Sequence, residues 1–421
     1  MNIKTVFRAL RHQNYRLFFS GQSISLVGTW MQQIAVSWLV YRMTHSAFLL
    51  GLVGFSSQIA TFLLAPLAGV IADRYHRHRL LLITQSMAMV QAVVLYILFM
   101  THTIAVWHII LLSFFLGAVN AFDIPVRQSF TVDMINDRED LSNAIALNSS
   151  MVNAARLIGP SIGGILIALF GEGTCFLVNA LSYIAVLFSL GMMKLPRFET
   201  SGRHKESVML QLKEGFFYAF NFMPIRTILT LLAVMSLVAG GVQALMPVFA
   251  RDIFHGGAKT LGILMGTSGL GALSGAIYLA NRKNVLGLSK VIATTAAIFG
   301  FGVLVFSRTS VLTIAIPVLL FSGFGMMVQM ASSNIILQSV VEEDKRGRVM
   351  SFYTMAFMGL SPFGSLLSGT LAERIGAGQT LLWGGCLCVI AAAVFSFQLP
   401  TLRGFIRVEY IKKGIIPPPT Q

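Results

Sequence analysis

The sequence predicts an all-α membrane protein with twelve transmembrane helices arranged as two pseudo-symmetric six-helix bundles. Hydrophobic residues occupy 55% of its 421 positions, charged residues occupy only 11%, and the mean hydropathy is strongly positive. A helix needs about 20 predominantly apolar residues to cross the hydrocarbon core of a bilayer, and twelve such runs follow one another along the chain. This composition identifies an integral membrane protein.

The twelve predicted spans, called helices 1 to 12 in chain order, are mostly bounded by short charged or glycine-rich turns. Their limits are 17–40, 47–72, 80–100, 106–134, 142–170, 174–193, 223–250, 259–281, 289–307, 311–341, 348–375 and 380–399. The longest polar stretch, 194–215, separates helices 6 and 7. We therefore predict an N-terminal bundle, a cytoplasmic linker, a C-terminal bundle and a cytoplasmic tail, at residues 1–193, 194–222, 223–400 and 401–421.

The later part of the linker repeats an apolar side chain every four residues, at Val208, Leu212, Phe216 and Phe220. Such spacing is typical of an amphipathic helix that lies along a membrane surface. An ordinary solvated connector between the two bundles fits the same composition. Both interpretations stay open.

The formal net charge of +15 reflects membrane topology rather than nucleic-acid binding, because of where the basic residues fall. With a cytoplasmic N-terminus, 24 of the 31 Lys and Arg residues lie in the predicted inner segments and five in the outer turns. Inner loops of membrane proteins carry such an excess of positive charge. Both termini are therefore predicted to be cytoplasmic. The remaining two arginines, Arg127 and Arg156, fall inside helices.

Two pairs of similar segments indicate that the bundles arose by duplication. The segment "IADR" (71–74) ends helix 2, and "LANR" (279–282) ends helix 8, 208 positions later. Pro160 in helix 5 and Pro362 in helix 11 are 202 positions apart. Two related six-helix bundles are the architecture expected of an alternating-access transporter.

Arg156 lies near the middle of helix 5, where a charge costs several kcal/mol unless it is paired or hydrated. Asp123 lies about 11 residues, or roughly 16 Å, from the cytoplasmic end of helix 4, and Arg156 lies about 14 residues, or roughly 21 Å, into helix 5. Antiparallel neighbours would bring the two side chains to a similar depth. Arg127 lies four residues after Asp123 on the same helical face, with Pro125 between them. We therefore predict a cluster of Asp123, Arg127 and Arg156.

Three roles fit this cluster, and Asn153, one turn before Arg156, is included with it. An alternating conformation would let Asp123 take up and release a proton, which would couple transport to the proton gradient. A fixed ion-pair network with a purely structural role is the second interpretation. The third is that Arg156 binds an anionic group of the substrate.

The loop between helices 2 and 3 reads "GVIADRYHRHR" (69–79) and resembles the G-x-x-x-D-R-x-G-R-R signature of the major facilitator superfamily. Gly69, Asp73, Arg74 and Arg77 match this signature, whereas histidines replace its second glycine and one basic residue. The resemblance implies a cluster that closes the transporter on its cytoplasmic side, and Asp133 is the expected partner of Arg77. A topology signal without a gating role is the alternative.

The segment "GPSIGG" in helix 5 resembles the second half of the G-x8-G-x3-G-P-x2-G-G antiporter motif of exporters in that superfamily. Gly159, Pro160, Gly163 and Gly164 match, whereas Ala146 and Ala155 stand at the two earlier glycine positions. Small residues and proline permit a kink and the close approach of a neighbouring helix. The resemblance implies that this segment shapes and seals the substrate cavity.

The segments "AFDIPVRQ" in helix 4 and "RGRVMSFYTMAFMGLSPFGSLLSG" (346–369) resemble the transmembrane secretion effectors, the branch that contains enterobactin-type siderophore exporters and multidrug exporters. This resemblance covers essentially the whole chain. One departure is Ser113, which stands where many proton-coupled members of the superfamily have an arginine, in the R-x-x-Q-G signature that ends at Gly117. Coupling here would need other residues or another ion.

Polar and soft side chains recur on the helices expected to line the cavity, where methionine repacks easily around different ligands. The candidates are Gln33, Gln58, Gln243, Gln329, Asn334, Met246 and Met330. Cys175, Cys386 and Cys388 lie in apolar helices, so that neither a disulfide framework nor a metal site is expected.

The sequence thus predicts a secondary transporter, not an enzyme, that exports small amphiphilic molecules by alternating access, with proton antiport. It is expected to be a monomer in the bacterial inner membrane, with the lipid bilayer and a small amphiphilic substrate as partners and no nucleic acid. No cofactor is expected beyond the proton gradient. A lysophospholipid or lipid translocator, an importer, and a non-transporting membrane scaffold or receptor are the alternatives.

Overall fold

The computed structural model describes residues 7–135, 137–193, 221–282 and 285–412, and within these ranges all regular secondary structure is helical. A short 3-10 helix, Arg8–Arg11, precedes the long helices. The long helices are α1 (Gln13–Thr44), α2 (Ala47–Arg74), α3 (Arg77–Met100), α4 (Val106–Asp133), α5 (Arg138–Phe170), α6 (Glu172–Gly191), α7 (Met223–Val248), α8 (Ala258–Ala280), α9 (Leu288–Arg308), α10 (Leu312–Val340), α11 (Glu343–Thr354 and Leu360–Ile375) and α12 (Ala377–Lys412).

Eleven of these helices, α2 to α12, are long and apolar enough to cross a membrane among the described residues. Helix α1 is 32 residues long but more polar, since it carries Gln22, Gln32 and Gln33. The fold class is that expected from the sequence, a multi-pass helical membrane protein.

Two helices contain a wider π-helical turn. The segment Phe249–Ile253 continues α7 directly after Val248, and Met355–Gly359 joins the two parts of α11. Single π turns of this kind interrupt α-helices and are frequent at functional sites.

Local signals explain where the first helices begin and end. Helix α1 ends at His45, which has a left-handed backbone conformation (φ 52°) and donates its N–H to the carbonyl of Tyr41. Ser46 caps α2, because its hydroxyl accepts a hydrogen bond from the Leu49 N–H at 3.2 Å. Gly171, with φ 81°, makes the turn between α5 and α6, a conformation that glycine adopts without steric cost.

The described residues form two compact units: the first comprises those within 1–202 and 244–269, and the second comprises those within 203–243 and 270–421. The domain boundaries inferred from the sequence stay a prediction. Residues 194–220, which include most of the linker and its expected amphipathic segment, lie outside the described residues.

In the first unit, α1 packs against α5 and α6, α2 packs against α4, and α3 packs against α4 and α6. Buried aromatic side chains fill the space between these helices, including Phe18 of α1 and Phe130 of α4, whose ring centroids are 6.1 Å apart. This packing fixes the positions of the polar side chains on α3, α4 and α5.

In the second unit, α9 packs against both α10 and α12. Helix α11 approaches α7 closely, because Gly240 and Gly364 leave room for the opposing backbone. Ser365 of α11 donates a hydrogen bond to the carbonyl of Gly240 at 3.1 Å. Small residues thus permit helix contacts in this unit, as is common in membrane proteins.

Candidate functional site

The candidate site in the first unit is centred on Asp123, a carboxylate in the membrane-spanning helix α4. Asp123 is only 4% exposed. The Thr84 hydroxyl and the Gln85 side-chain amide, both on α3, donate hydrogen bonds to Asp123 Oδ1 at 2.9 and 2.7 Å. Neither Thr84 nor Gln85 was among the sequence candidates.

The second carboxylate oxygen of Asp123 faces Arg127. The Arg127 Nε lies 3.3 Å from Asp123 Oδ2, one helical turn away on α4. This contact was expected from the four-residue spacing. Both oxygens of the carboxylate are therefore engaged, one by neutral donors and the other by a cation. A proton on Oδ2 would neutralise Asp123 and weaken its attraction for Arg127.

Arg156 has a different environment. Its guanidinium carbon lies 5.4 Å from the ring centroid of Trp30 on α1, within the range of a cation–π contact. Among the described residues, no carboxylate pairs with Arg156, and its side chain is exposed. The predicted three-residue cluster therefore reduces to the pair of Asp123 and Arg127.

The missing contact has a geometric cause. Gly159 and Gly163 allow α5 to lie very close to α1. A Cβ added at Gly159 would lie 2.4 Å from the Trp30 Cβ, and one at Gly163 would lie 2.7 Å from the Ile34 side chain. This orientation places Arg156 beside Trp30, whereas Asp123 faces α3. Similar depth along two helices does not bring side chains together when the helices present different faces.

Asn153 makes a hydrogen bond within its own helix. Its side-chain amide donates to the carbonyl of Ser149 at 2.8 Å. Asn153 therefore does not join Asp123 in this structure, although it remains on α5 one turn before Arg156.

Arg77 and Asp133, predicted as partners at the cytoplasmic end, do form an ion pair. Arg77 Nη1 donates to Asp133 Oδ1 at 2.8 Å and to the Ser129 carbonyl at 3.4 Å. The contact joins the first turn of α3 to the last turn of α4. The side chains of the other loop residues predicted for this cluster lie outside the described part of the structure: Gly69, Asp73 and Arg74.

The glycines of the helix 5 motif make close helix contacts on two sides. Gly159 and Gly163 face α1, as described above, and Gly164 faces α8. A Cβ at Gly164 would lie 2.6 Å from the Ala258 carbonyl oxygen and 2.9 Å from the Gly262 Cα. Gly262 in turn meets the carbonyl of Pro160, since a Cβ there would lie 2.7 Å away. The motif therefore permits two helix crossings within the first unit.

The structure separates the predicted cavity candidates by exposure. Gln33 is exposed, and four others are partly buried: Gln58, Gln243, Asn334 and Met330. Gln329 is fully buried and donates to the Ser333 hydroxyl on its own helix, and Met246 is 3% exposed. Both side chains pack inside the protein in this structure, and their assignment to a cavity surface stays a prediction.

A buried amide network that the sequence did not reveal links three helices of the first unit. Asn179 of α6 donates to Gln32 of α1, and Gln32 donates to Gln91 of α3, both at 2.9 Å. The three side chains are at most 2% exposed. Isolated amides in apolar helices were the available signal, but only the fold shows that they meet.

Asp140, at the start of α5, was also missed. Its fully buried carboxylate pairs with Arg8, with Arg11 at 2.7 Å and with His12 at 2.9 Å. The Ala9 N–H donates to Asn143 at 2.9 Å beside it. These contacts dock the segment before α1 onto the start of α5.

The multi-pass helical architecture, with a buried charge pair inside one membrane-spanning unit, is typical of a membrane transport protein. The chain belongs to the transmembrane secretion effector family of the major facilitator superfamily, whose profile matches residues 4–407. The proteins of this family and fold are transporters, not enzymes.

Similar proteins of known name include exporters of two substrate types. The Staphyloferrin A transporter of Staphylococcus aureus is 29% identical over 95% of this chain and 99% of its own length. The enterobactin exporter EntS of Citrobacter koseri is 24% identical over 96% of each chain. Macrolide efflux protein A of Streptococcus pyogenes is 21% identical over 91% of this chain and 96% of its own. The chain is thus a transporter with siderophore and drug exporters among its relatives.

Solved structures confirm the fold. A POT family transporter superimposes with a TM-score of 0.73 over 92% of this chain and 96% of its own, at 12% identity. The nucleoside transporter NupG superimposes with a TM-score of 0.71 over 92% of this chain and 99% of its own, at 14% identity.

Proposed function

We propose that this transporter exports small amphiphilic molecules, of the siderophore or drug type, across a bacterial inner membrane by alternating access in exchange for protons. The names of two relatives, an enterobactin exporter and a macrolide efflux protein, support export of such molecules. The observation that carries the proposal is Asp123, a carboxylate buried within a membrane-spanning helix. Ionisable residues at such positions are expensive to maintain, and they commonly mark proton and substrate pathways.

The proton step follows from the contacts of Asp123. In the described arrangement, Oδ1 accepts from Thr84 and Gln85, and Oδ2 faces Arg127 at 3.3 Å. Uptake of a proton at Oδ2 removes the negative charge and frees the guanidinium. Release of that proton restores the pair. A conformational change that alters the access of water to Asp123 would couple this cycle to substrate movement.

Both termini are cytoplasmic, which agrees with the excess of basic residues in the predicted inner segments. The pair of Arg77 and Asp133 contributes to a cytoplasmic gate, and Gly159, Pro160, Gly163 and Gly164 keep the helix crossings tight. The transporter works as a monomer within the lipid bilayer, without nucleic acid and without a cofactor other than the proton gradient.

The test is ligand-driven proton release by the purified full-length protein in detergent, with enterobactin and ethidium as probes. We expect wild type to release protons into weakly buffered solution on binding one of them, and Asp123→Asn to release none. Glu342→Gln, which changes an exposed carboxylate, is the matched control and should behave as wild type. Equal release by Asp123→Asn and wild type would refute coupling through Asp123.

The direction of transport needs a separate measurement in inside-out vesicles. Export predicts that the vesicles accumulate the substrate when their interior is acidified, and that Asp123→Asn abolishes this accumulation. Loss of preloaded substrate under the same gradient would indicate an importer. No movement of substrate by the wild-type protein in either direction would favour the scaffold or receptor alternative.

A further inference from the structure

The exposed surface of α5 changes character along the helix. In its first half, Ser142, Ser149, Asn153 and Arg156 are exposed or partly exposed. At 100° per residue these four positions lie within an arc of about 60°. In the second half the exposed side chains are apolar: Ile158, Ile162, Ile165 and Leu169.

A polar arc on a membrane-spanning helix faces water or other protein, because lipid tails cannot solvate hydroxyl, amide and guanidinium groups. The apolar second half of α5 can face lipid. Arg156 therefore lies at the deep end of a polar surface that begins near the start of the helix. Ile145 and Val152 flank this arc and are also exposed, which gives the surface an amphiphilic character.

Arg156 also differs in its pairing from three other arginines of the first unit: Arg42, Arg77 and Arg127. Asp123 pairs with Arg127, Asp133 with Arg77, and Glu172 with Arg42 at 3.1 Å. For Arg156, by contrast, the described residues provide a tryptophan face and no carboxylate. The guanidinium stays protonated in proteins, so its charge can be balanced only by an anion.

Gly159 keeps Trp30 close to Arg156. Any side chain at position 159 would collide with the Trp30 Cβ, and glycine lets the indole lie beside the guanidinium. On the opposite side, Gly269 of α8 packs against the Arg156 carbonyl, since a Cβ there would lie 3.0 Å from it. The backbone of Arg156 is thus fixed by helix packing, while its side chain remains exposed.

We propose that Arg156 and Trp30 form the recognition site for the anionic group of an amphiphilic substrate. The guanidinium fork binds a carboxylate or phosphate through two parallel hydrogen bonds. The Trp30 ring, which is partly exposed, supports the adjoining flat or apolar part of the ligand. This inference rests on the proposed export function and narrows its substrate class to amphiphilic anions.

The site is tested with two probes that share one ring system, 1-pyrenebutyrate and the neutral 1-pyrenebutanol. Binding to the full-length protein is measured by fluorescence in nanodiscs of phosphatidylcholine. We expect wild type to bind the carboxylate at least about tenfold more tightly than the alcohol, as a charge-assisted contact would produce. Equal affinities, or no binding of either probe at about 1 mM, would overturn the proposal.

Three arginine variants locate the effect. Arg156→Gln should bind the two probes equally, Arg156→Lys should retain part of the preference, and Arg308→Gln, at the exposed end of α9, should retain all of it. A thermal melt of each variant verifies that it folds. A full preference in Arg156→Gln would refute the site.

A second lipid distinguishes the two sources of the anion. If phosphatidylglycerol in the nanodisc competes with 1-pyrenebutyrate, the anionic site is supported and a lipid phosphate is its occupant. If the preference is unchanged, the site is supported as a site for free organic anions.

The binding assay is independent of proton coupling. A protein that discriminates the probes but shows no ligand-driven proton release retains the site and loses the proposed antiport. A protein that releases protons through Asp123 but does not discriminate the probes retains antiport and loses the anion site.

Discussion

Two charged side chains of helix α5, Asp140 and Arg156, have opposite environments. Asp140, at its start, is completely buried and pairs with Arg8, Arg11 and His12. Arg156, near its middle, is exposed and contacts the ring of Trp30, and among the described residues no carboxylate pairs with it. The Asp140 carboxylate therefore has several basic partners, whereas the Arg156 guanidinium has no acidic partner among the described residues.

The difference separates structural from ligand-binding roles. A carboxylate that is neutralised within the protein holds two segments together and has little capacity for a further partner. An arginine that has no acidic partner among the surrounding residues can bind an anion, and this contact would stabilise the complex. Position inside the membrane is therefore a weaker guide to function than the state of pairing.

The largest expected loss of stability follows from substitution of Asp140. Asp140→Ala leaves three basic side chains clustered without their carboxylate and releases the segment before α1, so that the melting temperature should fall by roughly 5 °C. Thermal melts in detergent measure this. The control is Asp137→Ala, because the Asp137 side chain is 45% exposed and its loss should change little. Equal shifts in both variants would remove the contrast between Asp140 and Arg156.

The next effect concerns the helix contacts that hold Arg156 in place. Gly164→Leu inserts a side chain against the Ala258 carbonyl and the Gly262 backbone, and should reduce the free energy of unfolding by about 2 kcal/mol. Gly191→Leu is the control, since a Cβ there has no heavy atom within 4 Å. Chemical denaturation distinguishes the two. A neutral Gly164→Leu would mean that the crossing adjusts freely.

An intermediate effect is expected for the pair of Arg77 and Asp133, whose side chains are 22% and 30% exposed. Asp133→Asn should cost about 1 kcal/mol, because partly solvated ion pairs contribute little more. A double-mutant cycle with Arg77→Gln measures the coupling between the two side chains. A coupling near zero would show that this contact is not maintained.

The smallest expected effect on stability is that of Arg156→Gln. Arg156 has no ion pair to lose among the described residues. The melting temperature of the Arg156→Gln variant should therefore differ from that of wild type by less than about 2 °C. The same variant should lose its preference for anionic probes. A large destabilisation would show instead that Arg156 has a structural role like that of Asp140.

Much of the fold follows from the sequence, because the length and polarity of each run determine whether it can span a bilayer. The contact between Arg77 and Asp133 was also predictable, since both residues lie at helix ends on the same side of the membrane. The predicted pairing of Asp123 with Arg156 is absent from the structure, because depth along a helix axis leaves the rotation about that axis undetermined. For the same reason, the sequence did not reveal that Gln329 and Met246 are buried.

Other parts of the site depend on segments that meet only in the folded chain. The network of Gln32, Gln91 and Asn179 joins positions up to 147 residues apart. Asp140 meets Arg11 across a similar separation. No local pattern encodes such contacts, although unpaired polar residues within apolar runs mark the side chains that need partners.

The π-helical segment Met355–Gly359 changes how α11 accommodates insertions and deletions. A π turn contains one residue more than the equivalent stretch of α-helix. Side chains on one face of α11 repeat every three or four residues up to Thr354. From Leu360 onward the same face is continued by residues one position later in the sequence than an uninterrupted α-helix would place there. Deletion of a single residue within Met355–Gly359 would restore an ordinary helix without disturbing either flank. This segment is thus the place in α11 where a change in chain length is most easily absorbed.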